Sequence, residues 1–361
     1  MIGRNPALAL AGAAILLISG CERAAPPAAP QTSGPIVATP AGGAPDSFAP
    51  VVKRVSPAVV SVDTLSVGAA EGFAAGLPPG LGVVPVRRGA GSGFIISADG
   101  YVVTNNHVVE GAQEIVVALA DGRQFPARLV GRDPPTDLAV LKIGAPDLPY
   151  VSFAGSALPE VGDWVVAVGN PFGLGGTATA GIVSAHGREI GEAYVSYLQI
   201  DAPINSGNSG GPSFDLQGRV VGVNTAIFSP TGGSVGIGFA IPADLAENVT
   251  RQLIQSGRVT RGYLGVGVAD LTPALAYRLG VGGQRGALIA QVAPGGPAAR
   301  QLEAGDVVVA VGGEAITGAG GLTRAIAGAQ PGSTLSLSVL RDRQRREVQV
   351  RVARRPEGLA Q

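Results

Sequence analysis

The 361-residue chain has one cysteine, two histidines, one methionine and one tryptophan. A single thiol cannot build a disulfide framework, and three Cys and His residues in all are too few for a zinc site of the Cys/His type. No metal or other cofactor is expected. Charged residues are only 14% of the chain, against roughly 25% in ordinary domains, while 56 Gly and 28 Pro punctuate it. That combination excludes coiled coils and long helical bundles. Basic and acidic residues number 26 each, so no net field favours phosphate backbones or anionic lipid, and nucleic acid is not an expected partner. Any chemistry here must use very few polar groups.

What the sequence does have begins with an export signal. Arg4 precedes an apolar run from Ala7 to Ile18, the length of a signal-peptide core and too short for a bilayer of about 30 Å. The run ends in Ile18-Ser19-Gly20-Cys21, which resembles the bacterial lipobox. Residues 1–20 then read as a lipoprotein-type signal peptide and Cys21 as the acylated residue, a lipid anchor to a membrane of the bacterial cell envelope. An ordinary cleaved signal or a short uncleaved anchor with an incidental cysteine is the alternative. Residues 21–45 are rich in Ala and Pro with no apolar period, the composition of a disordered linker.

Residues 46–257 are filled with short β-branched runs, such as Val59-Val60-Ser61-Val62 and Val165-Val166-Ala167-Val168, each closed by Gly, Pro, Asn or Asp. This is the pattern of an all-β barrel or sandwich. Two stretches read as helices, one capped at Asp46-Ser47 and one from Pro242 to about Ser256. From 261 to 355 the order becomes strand, short helix, strand, helix, strand, strand, a small α+β module.

The strongest chemical signal is Gly207-Asn208-Ser209-Gly210-Gly211-Pro212, a serine crowded by glycines. Glycines let a substrate backbone approach and let the N–H groups of Gly207 and Ser209 point into one space, as an oxyanion hole requires. A serine needs a base, and His107, in Thr104-Asn105-Asn106-His107-Val108-Val109, is the better placed of the two histidines. His186 reads as an exposed loop residue. The base needs a carboxylate to hold its tautomer, and Asp137 precedes the strand-forming Leu138-Ala139-Val140.

The order His107, Asp137, Ser209, with Gly91-Ser92-Gly93-Phe94-Ile95-Ile96-Ser97, Gly169-Asn170-Pro171-Phe172-Gly173 and Gly181-Ile182-Val183-Ser184, resembles the HtrA/Deg family of trypsin-like serine proteases. The resemblance implies a mainly β fold, a chymotrypsin-like double β-barrel over 46–257 followed by one α+β PDZ domain over 261–355. It also implies a homotrimer or higher oligomer acting on unfolded polypeptides. Asn208 stands where cleavage-activated relatives of trypsin carry an aspartate, so ordering of the site should depend on loops instead. Arg188 resembles the family's regulatory-loop arginine. Trypsin has a carboxylate six residues before its serine, but here that position is Pro203, and by resemblance Ile204 and Ile227 line the primary pocket. Apolar walls with no buried charge would reject Lys and Arg. Tyr263, Leu264, Gly265 and Val266 resemble the loop that takes a peptide's C-terminal carboxylate, with Leu322 and Ile326 as the apolar side of the groove. Two function classes remain: an ATP-independent endopeptidase for unfolded or damaged proteins, and a holdase or peptide-sensing binding protein with little activity.

Overall fold

The structure is a computed structural model that describes residues 44–67, 86–156, 158–171, 176–230, 232–356 and 358. The expected signal peptide, Cys21, most of the linker, Phe172 and Gly173 lie outside the described residues. The valine-rich runs form strands, where branched side chains fit a pleated, half-buried surface. β1 (Val59–Val67), β2 (Val86–Ile95), β3 (Tyr101–Asn105), β4 (Glu114–Ala118), β5 (Gln124–Asp133) and β6 (Leu138–Ile143) close a barrel in the order β1-β2-β3-β6-β5-β4. β7 (Trp164–Gly169), β8 (Thr177–Arg188), β9 (Tyr197–Ile200), β10 (Pro212–Phe214), β11 (Val220–Ile227) and β12 (Gly238–Pro242) close a second, ordered β10-β11-β12-β9-β8-β7. Closure leaves neither barrel a free edge.

Three apolar clusters follow from strand alternation. Val62, Ile95, Val102, Leu141 and Ile143 fill the first barrel, and Val165, Val183, Ile200 and Val221 the second. The residues on the opposite faces, among them Phe94, Leu138, Val140, Val166, Phe214 and Ile241, pack barrel against barrel. The interface also takes in α1 (Ala49–Val55) through Val51 and Val55, and α3 (Ala243–Ser256) through Val249 and Leu253. The cap of α1 differs from the expected Asp46-Ser47: Phe48 holds the cap position, Pro50 sits in the first turn, and Ser47 Oγ accepts the Ala49 N–H at 3.1 Å. A further four-residue helix, α2 (Asn106–Val109), follows β3 and carries His107.

Beyond α3 lie β13 (Gly262–Tyr263), β14 (Val266–Asp270), α4 (Pro273–Arg278), β15 (Ala287–Val292), β16 (Val307–Val311), β17 (Glu314–Ala315), α5 (Ala319–Gly328), β18 (Thr334–Arg341), β19 (Gln344–Arg351) and β20 (Ala353–Arg354). The sheet runs β14-β15-β16-β18-β19, with β17 on β16. With β16 and β17 the sheet has six strands, two more than the four in the sequence order. Asp306, 1% exposed, is satisfied by two bonds from Arg341 at 2.7 Å each and by the Glu303 N–H at 2.9 Å. A buried carboxylate so paired fixes the turn before β16.

Phe94 is fully buried between the barrels and meets Phe153 edge-on, with ring centroids 5.7 Å apart. Phe94→Ala should lower stability by about 3–5 kcal/mol, measured by urea unfolding of the folded chain.

Candidate active site

Asp137 ends a 3-10 turn, Pro134–Thr136, in the left-handed region at φ 54° and ψ 38°. A non-glycine residue held there costs of order 1–3 kcal/mol and persists only where its surroundings fix it. They do: its N–H bonds Pro134, and its carbonyl accepts from the Asn106 N–H at 3.0 Å and Asn105 Nδ2 at 2.9 Å. The result aims the carboxylate at α2. Oδ1 accepts the His107 backbone N–H at 2.9 Å, and Oδ2 accepts His107 Nδ1 at 2.7 Å. With the Nδ1–H donated to this carboxylate, Nε2 keeps its lone pair and can act as a base. The imidazole side chain is 48% exposed, the aspartate 17%.

Across the cleft, Thr225 on β11 donates its hydroxyl to Asp137 Oδ2 at 2.5 Å, and its carbonyl accepts the Ser209 hydroxyl at 3.5 Å. One residue thus touches both the carboxylate and the serine. Ser209 is further placed by its carbonyl, which accepts the Ser92 N–H at 2.8 Å. Ser92 Oγ in turn donates to the Gly207 carbonyl at 2.6 Å and accepts the Asn170 N–H at 2.8 Å. Gly210 has φ 82°, and a Cβ there would collide with the Ser92 carbonyl and lie 2.5 Å from Thr104 Oγ1, so only glycine lets the serine loop lie on β3.

The segment Ser206–Asn208 is one turn of 3-10 helix, with the Asn208 N–H on the Asn205 carbonyl at 2.8 Å. Such a turn points successive N–H groups along its own axis.

A trypsin-like peptidase domain model matches residues 91–223, and a PDZ domain model residues 262–352. A probable periplasmic serine endoprotease DegP-like of Pseudomonas fluorescens is 42% identical over 350 residues, 90% of this chain and 73% of the relative. The solved HtrA-type protease AlgW with a decapeptide is 42% identical, with TM-score 0.71, covering 86% of this chain and 99% of that one. The chain belongs to the HtrA family of serine proteases. A DegP-like protein of Brucella suis is 53% identical over 276 residues, 75% of this chain and 53% of its own. The chain spans about half the length of such curated relatives. The crystal structure of the serine endoprotease from Yersinia pestis matches with TM-score 0.62 at 36% identity over 87% of this chain and 100% of that one.

Against that family frame, other expected residues lie differently from their assigned places. Ile204 is 1% exposed, within the apolar filling of the second barrel, and Ile227 packs against it, so the pair offers little open surface. Arg188 ends β8 and donates to Gln199 Oε1 at 2.8 Å. It is the next residue, Glu189, that reaches the PDZ domain, bonding Arg324 of α5 at 2.9 Å. His186 is exposed and lines a separate cavity of about 550 Å³ with residues of α3.

In the PDZ domain, Leu264, Leu322 and Ile326 all turn into the core and are at most 8% exposed. The expected apolar wall of Leu322 and Ile326 is therefore corrected. These two share the helix face that the sheet claims, and the groove of about 690 Å³ is lined from α5 by Ala319, Gly320, Thr323 and Arg324. Tyr263, Gly265 and Val266 do line it, and Gly265 at φ 74° supplies the turn. Glu189, Gly191, Glu192, Ala193 and Tyr194 of the protease domain also line it, and Glu192 hydrogen-bonds Tyr197. Burial, and then the Glu192 carboxylate beside it, push the Tyr197 phenol far up, so it stays neutral.

Thr225 was not singled out by sequence reasoning, because a threonine on a strand reads as a strand former. Thr225→Val removes one hydrogen bond to a carboxylate, worth about 1.5–3 kcal/mol. Casein hydrolysis should fall about 10- to 100-fold in kcat/KM with circular dichroism unchanged.

Proposed function

We propose that this chain is an ATP-independent serine endopeptidase of the periplasm that degrades unfolded or damaged proteins. The observation that carries the reading is the His107 ring held on Asp137 at 2.7 Å, with Thr225 joining that carboxylate to Ser209. In this reading Ser209 Oγ attacks the scissile carbonyl as His107 Nε2 takes its proton, and Asp137 stabilises the imidazolium without itself being protonated. His107 then returns the proton to the leaving amine, and water repeats the cycle on the acyl-enzyme. The N–H groups of Gly207 and Ser209 hold the oxyanion. Asn208 cannot form the ion pair of a cleavage-activated site, so ordering of the site depends on loops instead.

Relatives named as periplasmic endoproteases support the compartment, and the AlgW complex with a decapeptide supports peptide capture. β14 is an edge strand facing α5, where a peptide can add as a further strand with its carboxylate on the loop Tyr263–Val266. Trimer assembly and acylation of Cys21 belong to the same reading and rest on the sequence. No residue here implies a metal or cofactor.

Ser209→Ala should abolish hydrolysis of casein, a loss on the order of 10⁴-fold or more, with folding intact. Residual hydrolysis by the purified variant near the parent's rate would end the serine-protease reading. If Ile204 and Ile227 line the primary pocket as the resemblance implies, it holds no charge for a basic side chain, so new C-termini found by mass spectrometry should be Val, Ala, Ile or Leu. A majority of Lys or Arg would overturn that pocket.

A further inference from the structure

The zero net charge is a sum of two opposed domains. Residues 46–257 carry 11 basic and 18 acidic side chains, a net charge of −7, whereas residues 261–355 carry 12 arginines and six acidic groups, a net charge of +6. Six of these arginines matter here. Arg261, Arg324 and Arg341 are consumed by Asp133, Glu189 and the Asp306 and Glu303 pair. Arg278, Arg343 and Arg345 are among the eight that are exposed and, among the described residues, enter no ion pair.

These three lie together. Asp342 and Arg343 make the two-residue turn of the β18–β19 hairpin, at φ 52° and 65°, between Arg341 and Gln344. The Arg343 side chain folds over the end of α4: a Cβ on Gly280 would lie 2.5 Å from its Nε. Arg278 is the last residue of α4. Arg345 pairs across the hairpin with Leu340, which packs on Ala276 of α4 and on Val281, so Arg345 is on the sheet face that carries α4. The close of α4 also carries two large hydrophobic side chains in contact with solvent, Tyr277 at 82% exposed and Leu279 at 36%.

We propose that this end of the PDZ domain, formed by the close of α4 and the tip of the β18–β19 hairpin, docks on an anionic phospholipid surface. It is separate from the peptide groove between β14 and α5, and it rests on the periplasmic reading above only for the presence of such a surface. Guanidinium groups bind phosphate diesters of headgroups by paired N–H bonds. A tyrosine with a polar tip and a leucine beside it are suited to the boundary between headgroups and acyl chains. A purely electrostatic partner such as a nucleic acid has no use for the leucine. The acidic barrels of a second copy would satisfy the arginines but leave both apolar groups facing charge. Docking this end would add a second membrane contact to whatever holds the N-terminus and would fix which way the protease cleft faces.

The test uses residues 46–361, which form one compact unit and carry no acyl chain, in flotation with vesicles of phosphatidylcholine alone or with added phosphatidylglycerol. Binding should require phosphatidylglycerol and disappear in high salt. Replacing Arg278, Arg343 and Arg345 together with glutamine should weaken it on the order of 100-fold, at about one kcal/mol for each arginine near the surface. Tyr277→Ala should weaken it with the salt dependence unchanged, and Arg300→Gln, an exposed arginine elsewhere in the domain, should leave it as it was. Casein hydrolysis should be the same in all variants, so loss of vesicle binding and failure of the protease reading are told apart. Equal binding to neutral vesicles would overturn the proposal, as would stronger binding to duplex DNA than to the anionic vesicles. A fall in oligomer mass on replacing the three arginines would assign the patch to a second copy instead.

Discussion

The carboxylate of Asp137 is the point on which the two barrels agree. Its two oxygens accept three donors, the backbone and ring of His107 and the hydroxyl of Thr225, and these come from a helical turn of the first barrel and a strand of the second. The four-residue α2 is far below the length at which a helix sustains itself, so the direction of His107 is set by this acceptor rather than by the helix. The left-handed backbone at Asp137 is the cost of that aim. Remove the acceptor and His107 loses both its tautomer and its heading, while the serine loop loses the partner strand's register with the first barrel.

The same constraint reaches the PDZ domain through four residues. Asp133 starts the turn that ends at Asp137, receives Thr136 Oγ1 at 2.5 Å, and is held by both terminal nitrogens of Arg261, at 2.8 and 2.5 Å. Both partners are buried, and Arg261 also lies over the Tyr194 ring at 4.6 Å. An ion pair taken out of water adds little net stability, but breaking one side strands a charge, so it fixes geometry more than it adds energy. Here the geometry it fixes is the turn that aims Asp137, the wall of the peptide groove at Tyr194, and the first residue of the PDZ domain.

Reading the sequence found what depends on local residue type and order. Strand runs, the amphipathic α3, the glycines around Ser209 and the sequence of His107, Asp137 and Ser209 are all of this kind, because each signals through its own side chain or period. What it missed depends on which face a residue presents. Leu322 and Ile326 are apolar and one turn apart whether they line a groove or a core, and only the sheet packed beneath decides. Ser92 and Thr225 act through contacts 115 and 88 residues away in the chain, with Gly207 and Asp137. Glu189 rather than Arg188 meets α5 because β8 ends at Arg188, which turns back to Gln199, and the chain leaves the sheet one residue later.

Charge explains why the two domains meet as they do. In both Asp133–Arg261 and Glu189–Arg324 the acid comes from the protease domain and the arginine from the PDZ domain, as expected where −7 faces +6. The two pairs differ in their response to the solvent. The Asp133 and Arg261 side chains are 5% and 11% exposed, beyond the reach of counterions, while Glu189 is half exposed and Arg324 a quarter. Salt therefore screens the pair at the groove and spares the pair at the Asp137 turn. The domain contact thus has one buried and one solvent-facing ion pair, and the solvent-facing one borders the peptide groove, next to Arg188. The His107 and Asp137 pair draws its support from the buried side, through Asp133 and Arg261.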